Sequence, residues 1–232
     1  MDGDVAPLAE IAELAQRHRV RTVVDEAHGT GCIGPGGRGA VADAGLEQEI
    51  DVVVGTLGKA LGSYGAFAAC DAQMARFLTN ASRPLIFSTA PPPPAVAGAL
   101  AALELLIEQP QMVEKLRANA DVMRTELAAE GFEVAGSTTQ IVPLIVGDAA
   151  LAMRVCEAAI ERGVFAQAIR PPTVPEGTSR LRLALMASHT KAELRDAARA
   201  LGRAALHAGF RPGAGVPLAA AQDTGPFDSV AA

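Results

Sequence analysis

Aromatic residues are scarce in this sequence, which has no tryptophan, one tyrosine and an aromatic fraction of 3%. Its core must therefore be packed with alanine, leucine and valine; half of the 232 residues are hydrophobic, enough to bury a core of one large or two modest domains. Cysteine is also sparse. Cys32, Cys70 and Cys156 lie far apart without CxxC spacing, which excludes a disulfide framework and a zinc site and reads as buried thiols in a reducing cytoplasm. Basic blocks are absent, and a net charge of -6 argues against nucleic acid or an anionic membrane as the main partner. No apolar run reaches the ~18 residues that span a bilayer, and the acidic start MDGDVAPLAE does not have the form of a signal peptide.

Strand and helix signals alternate over the first half of the chain. APLAEIAELAQRHRV has helical spacing, RTVVD is a short apolar run, and six glycines between positions 29 and 39 make the next stretch a loop. DVVVG, AFAAC and LIFST read as strands, DAQMARFLTNA and APPPPAVAGALAALELLIEQ as helices. Such alternation predicts an α/β fold with a mainly parallel sheet and helices on both faces. From about Pro110 the texture becomes that of a smaller α+β unit: a charged amphipathic helix, further short strands, and a last helix opened by a Thr190–Glu193 capping box. The expected organisation is a large domain over 1–109, a small domain over 110–209 and a disordered tail over 210–232.

The string DEAH at positions 25–28 is familiar from nucleotide hydrolases, but those also need a loop of the form GxxxxGK[ST]. The only GK, at Gly58–Lys59, has Val53 at the required glycine position and is followed by Ala60, which excludes that chemistry. Asp25 instead closes an expected parallel strand, where open α/β sheets place ligand-binding groups, and His28 follows in the same loop. Lys59 is the one charged residue between Val52 and Cys70, in GTLGKALGSYGAF. Burial there would make its amine a nucleophile able to hold a carbonyl compound covalently. No metal-ligating pattern is present.

DEAHGTGCIGPGGRG followed by GTLGKALGSYGAF, RPLIFSTAPPP and RPPTVPEGTSRLRLALMASHT resembles the α-oxoamine synthases, a branch of the fold-type-I aminotransferase superfamily. The resemblance runs from the first residues to about Gly209. It implies pyridoxal 5'-phosphate (PLP) as cofactor, with Lys59 as covalent anchor and general base, Asp25 at the pyridine nitrogen, His28 at the ring phenolate and Thr56 at the phosphate. Ser88 and Thr89 match a segment that reaches the phosphate of the neighbouring subunit, which implies a homodimer with shared active sites. Thr173 matches a substrate-contacting position and Arg182 the residue that grips the amino-acid carboxylate. The implied reaction is the decarboxylative condensation of an amino acid with an acyl thioester. SYGAF, RPLIFSTA and AIRPPTVPEGTSRLRL are most similar to the family member that joins alanine to a pimeloyl thioester; its sisters use glycine or serine with other acyl groups.

MDGD is an internal run in that family, preceded by a serine that contacts the cofactor. The family's phosphate-binding glycine–aromatic pair, its ring-stacking histidine, several strands and a substrate arginine have no counterpart here. Two expectations follow: an acyltransferase whose recorded sequence starts at an internal methionine, or a shorter product that acts as an inactive dimerisation partner.

Overall fold

A computed structural model describes residues 1–134 and 136–213 of the chain. It divides into two compact units, one formed by Asp4–Ala118 and one by Met1–Gly3 together with the residues from Asn119. The change of texture at Pro110 marks the loop before a helix, and the division itself falls inside that helix. Of the expected disordered tail, 214–232 lies outside the described residues.

The N-terminal unit opens with α1 (Leu8–His18), whose buried Leu8, Ala12 and Ala15 form one stripe. Arg19 ends it in the left-handed conformation, its N–H returning to the carbonyls of Ala15 and Gln16. β1 (Val23–Asp25) leads into the glycine loop, which contains a 3-10 turn at Pro35–Gly37 and a single helical turn, α2 (Ala40–Asp43). β2 (Val52–Thr56) and β3 (Ala66–Cys70) complete a three-stranded sheet in the order β1-β2-β3. The β1–β2 pairing is parallel, with Asp25 opposite Val54; β2–β3 is antiparallel, because the Lys59 segment between them is a tight turn and not a crossover. The sheet of the described residues is therefore mixed within the expected α/β class.

α3 (Ala72–Ala81) is capped by Asp71, whose Oδ1 accepts from Met74 N at 2.7 Å. LIFST is not a strand. Pro84 sits in the first turn of α4 (Arg83–Ile86), and its missing N–H and fixed φ suit a short helical turn better than a ladder. α5 (Pro93–Glu108) starts at its prolines as expected, and α6 (Gln111–Ala129) carries the chain across the division.

In the C-terminal unit β4 (Ile141–Gly147), α7 (Ala149–Ile160), β5 (Gln167–Ile169), β6 (Ser179–Ala184) and α8 (Lys191–His207) build an antiparallel sheet, order β4-β6-β5, with α7 and α8 packed together. Val142, Leu144 and Leu181 are fully buried on one sheet face, and Val155, Leu194 and Leu201 come to the same core from the helices. The Thr190–Glu193 capping box forms as the spacing predicts, with Glu193 N donating to Thr190 Oγ1 at 3.2 Å. No helix among the described residues is long and apolar enough to cross a membrane.

Candidate functional site

Parallel pairing of β1 with β2 brings the C-terminal ends of two strands to one edge of the N-terminal unit. Asp25 ends β1 and Thr56 ends β2. Asp25 Oδ1 accepts from Ala27 N at 2.7 Å, an Asx-type turn that bends the chain away from the sheet toward His28. After Thr56 the backbone folds back on itself: Leu57 N donates to Gly65 O (2.9 Å), Ser63 N to Leu57 O (2.8 Å) and Gly62 N to Lys59 O (3.0 Å). Thr56 Oγ1 donates to Gly65 O and accepts from Gly58 N, both at 3.2 Å, so its hydroxyl pins the turn that presents Lys59.

The glycine loop lies against this turn. A Cβ on Gly31 would sit 2.8 Å from Ala60 Cβ, so the residue beside Lys59 can approach only because position 31 has no side chain. Asp25, His28, Thr56 and Lys59 are thus assembled within one unit. Lys59, Asp25 and His28 are all exposed. The burial expected around Lys59 from its apolar neighbours is therefore not provided by the described residues: those neighbours are small, and the turn projects from the sheet rather than into a core.

Glu26 is the residue that sequence reasoning missed. It is 3% exposed, and its Oε1 accepts from Val41 N at 2.7 Å, in the first turn of α2. Gly39, at φ 99°, lies so close that a Cβ there would come within 2.7 Å of the carboxylate. Glu26 N also donates to Val54 O at 2.7 Å, and Glu26 O accepts from Gly29 N and Thr30 N. One residue therefore ties these parts together: its backbone bonds β2 and the Asp25–His28 turn, and its buried side chain bonds the start of α2 at the end of the glycine loop. The available signal was an acidic residue directly after an apolar strand and before a loop whose glycines leave room for a carboxylate.

Ser88 and Thr89 follow α4 and are exposed; Ser88 N donates to Leu85 O at 3.3 Å and its Oγ to Thr89 O at 3.2 Å. In the C-terminal unit Arg182 is half-buried on β6, and Thr173 is exposed in the loop between β5 and β6, its N–H donating to Arg170 O at 3.0 Å. Arg180 and Arg182 share a face of β6, as alternation predicts, and Leu181 and Leu183 occupy the other. Of the three cysteines only Cys156 is buried by its accessible surface; Cys32, in the glycine loop, is half-buried, and desolvation pushes its thiol up to about 11.

The family model for aminotransferase class I and II matches residues 1–201. An 8-amino-7-oxononanoate synthase of Citrifermentans bemidjiense is 48% identical over 200 residues, covering 85% of this chain and 51% of that protein. Among solved structures, SPT with a PLP internal aldimine superposes with a TM-score of 0.85 at 34% identity, covering 90% of this chain and 53% of the other. The 8-amino-7-oxononanoate synthase of Francisella tularensis gives 0.73 at 25% identity, covering 87% and 59%. The chain spans about half the length of the curated relatives it matches.

Proposed function

The chain belongs to the aminotransferase class I and II family, and from the residues it presents we propose that it carries the lysine and carboxylate-binding half of a PLP-dependent 8-amino-7-oxononanoate synthase. The reaction joins L-alanine to a pimeloyl thioester, of coenzyme A or a carrier protein, with loss of carbon dioxide, in the biotin route of the cytoplasm. One observation carries this reading: parallel β1–β2 pairing sets Asp25 and the Lys59 turn at the same sheet edge, with Gly31 packed on Ala60.

As a donor set the residues suit PLP: an accessible primary amine for its aldehyde, a carboxylate for its pyridine nitrogen, and a hydroxyl at a glycine-lined turn for its phosphate. When bound, this cofactor supplies an electron sink for negative charge at the amino acid's α-carbon. Asp25 would favour the protonated ring nitrogen, His28, three residues on in the same turn, would meet the ring phenolate, and Thr56 would serve the phosphate end. Lys59 would hold the cofactor's aldehyde carbon through Nζ, and the same amine, when free, would serve as the base for the α-proton. Arg182 offers a planar fork to the amino-acid carboxylate, Thr173 a second contact to substrate, and Ser88 and Thr89 the phosphate of the neighbouring subunit in a homodimer.

The test is borohydride reduction of the chain after incubation with PLP, with peptide mass spectrometry and Lys59→Ala as control. Selective phosphopyridoxyl labelling of Lys59 is expected. Labelling spread over surface lysines, unchanged in Lys59→Ala, overturns the assignment. A second reading, a dimerisation partner without its own chemistry, is favoured by the apolar residues that α5 leaves exposed, among them Leu100 and Ile107. It predicts a stable dimer by light scattering together with no labelling of Lys59.

A further inference from the structure

Lys59 is exposed, so the place of its Nζ is set by the backbone it hangs from and not by a wall of side chains. That backbone is closed at its base by Leu57 with Gly65 and nearer its tip by Gly62 with Lys59. Bonds within a turn fix its shape. Its place in the molecule needs ties to other elements, of which the packing of Gly31 on Ala60 is one.

Ser63 supplies a second, directional tie. Its side chain is half-buried, and its Oγ donates to Ala95 O, 32 residues away in the first turn of α5. Its N–H donates to Leu57 O at 2.8 Å, so one residue closes the turn from inside and joins it to a helix. A Cβ on Gly98 would lie 3.6 Å from Ser63 Oγ, which sets the hydroxyl against the following residues of α5 as well. The start of that helix is a stiff abutment. Pro93 and Pro94 fix φ in its first turn, and Pro92 O accepts from Ala95 N at 2.9 Å and from Val96 N at 3.3 Å.

A lysine that both holds a cofactor and serves as base needs its amine back at one point after each release, and a misplacement of about 1 Å can cost a hundredfold in rate. We propose that Ser63 is a positioning residue for Lys59: its hydroxyl braces the Lys59 turn against the proline-stiffened start of α5. This rests on the reading of Lys59 given under Proposed function.

The test uses the other two lysines of the chain, Lys115 and Lys191, as internal references. The full chain is titrated with PLP, reduced with borohydride and mapped by peptide mass spectrometry; amide exchange over 57–65 is read on the same variants without PLP. In Ser63→Ala, half-labelling of Lys59 is expected to need about fivefold more PLP, the factor set by loss of one hydrogen bond, with Lys115 and Lys191 unchanged. The amides of positions 62 and 63 should exchange faster by about the same factor. Ser63→Thr keeps the hydroxyl and restores both readouts in large part. Equal labelling curves and equal exchange in the wild type and Ser63→Ala overturn the role of Ser63. So does a loss at Lys59 that follows an earlier urea transition of the whole chain and is not recovered in Ser63→Thr, because that is a general loss of structure. If Lys59 is not selectively labelled in the wild type, the Lys59 reading falls, and the proposal with it.

Discussion

The two units of this chain are made from the same alanine-rich material but use it differently. In the C-terminal unit the apolar residues of β4, β6, α7 and α8 meet one another, and the largest fully buried side chains of the described residues, Leu127, Leu144, Leu181, Leu194 and Leu201 among them, all belong to it. In the N-terminal unit the buried cluster is small, centred on Leu8, Ala12, Ala40, Val41 and Ile50. α3 buries no residue, α5 buries only Ala99, and four of the five residues of β3 are exposed. Val96, Leu100, Leu103 and Ile107, spaced four, three and four apart, form an uncovered stripe on α5. A helix apolar on every side is patterned for burial. The pattern of the N-terminal unit thus records a more enclosed state than this chain alone provides, and the chain spans about half the length of its relatives.

That contrast is sharpest in stability. Leu201→Ala removes a side chain with no exposed surface and is expected to destabilise the C-terminal unit by about 2–5 kcal/mol, read as a shifted urea transition. Leu100→Ala, on a residue 55% exposed, should stay within about 0.5 kcal/mol. Equal losses at the two positions would show that α5 is covered in solution and would break the comparison.

With so little core, the N-terminal unit relies on polar ties around its site, and that of Glu26 is buried. Glu26→Ala leaves Val41 N–H buried without its acceptor, a cost of about 1–3 kcal/mol, and should speed hydrogen exchange at Val41. Glu26→Gln keeps an oxygen acceptor and should recover most of the protection. If both variants exchange as slowly as the wild type, the glycine loop is held by something other than this carboxylate.

The sequence made local features legible where one residue type leaves few choices. The Thr190–Glu193 box, the prolines opening α5, and Asp25 at a strand end needed no distant partner to be read. LIFST was misread because Ile86 and Phe87 suggest a strand, while Pro84 and the turn from Ser82 decide the local backbone. The sense of β3 depended on how tightly the Lys59 turn closes, which rests on the hydrogen bonds of Thr56 and Leu57 with Gly65. The exposure of Lys59 was hidden because apolar neighbours indicate composition, not depth. Glu26 and Ser63 were missed for one reason: their partners, Val41 and Ala95, are 15 and 32 residues away.

The smallest expected effect tests whether surface polar ties in the N-terminal unit add anything beyond Glu26. Asp51 Oδ2 accepts from Thr22 N at 2.8 Å and from Thr22 Oγ1 at 3.1 Å, and its Oδ1 is paired with Arg21. The Thr22 N–H, then the Arg21 guanidinium, hold the Asp51 carboxyl below its ordinary value. A carboxyl whose folded-state value is depressed binds fewer protons folded than unfolded. Its contribution is therefore present above the unfolded value of about 3.9 and is lost as pH falls through the folded one. Asp51→Asn should be slightly less stable than the wild type at neutral pH, and the two urea transitions should converge as the pH is lowered below that range. Arg21 is exposed, so added salt should shrink the difference but not abolish it, because the Thr22 N–H bond is less screened than the ion pair. A difference that persists unchanged at low pH would assign the effect to the shape of Asp51 rather than its charge.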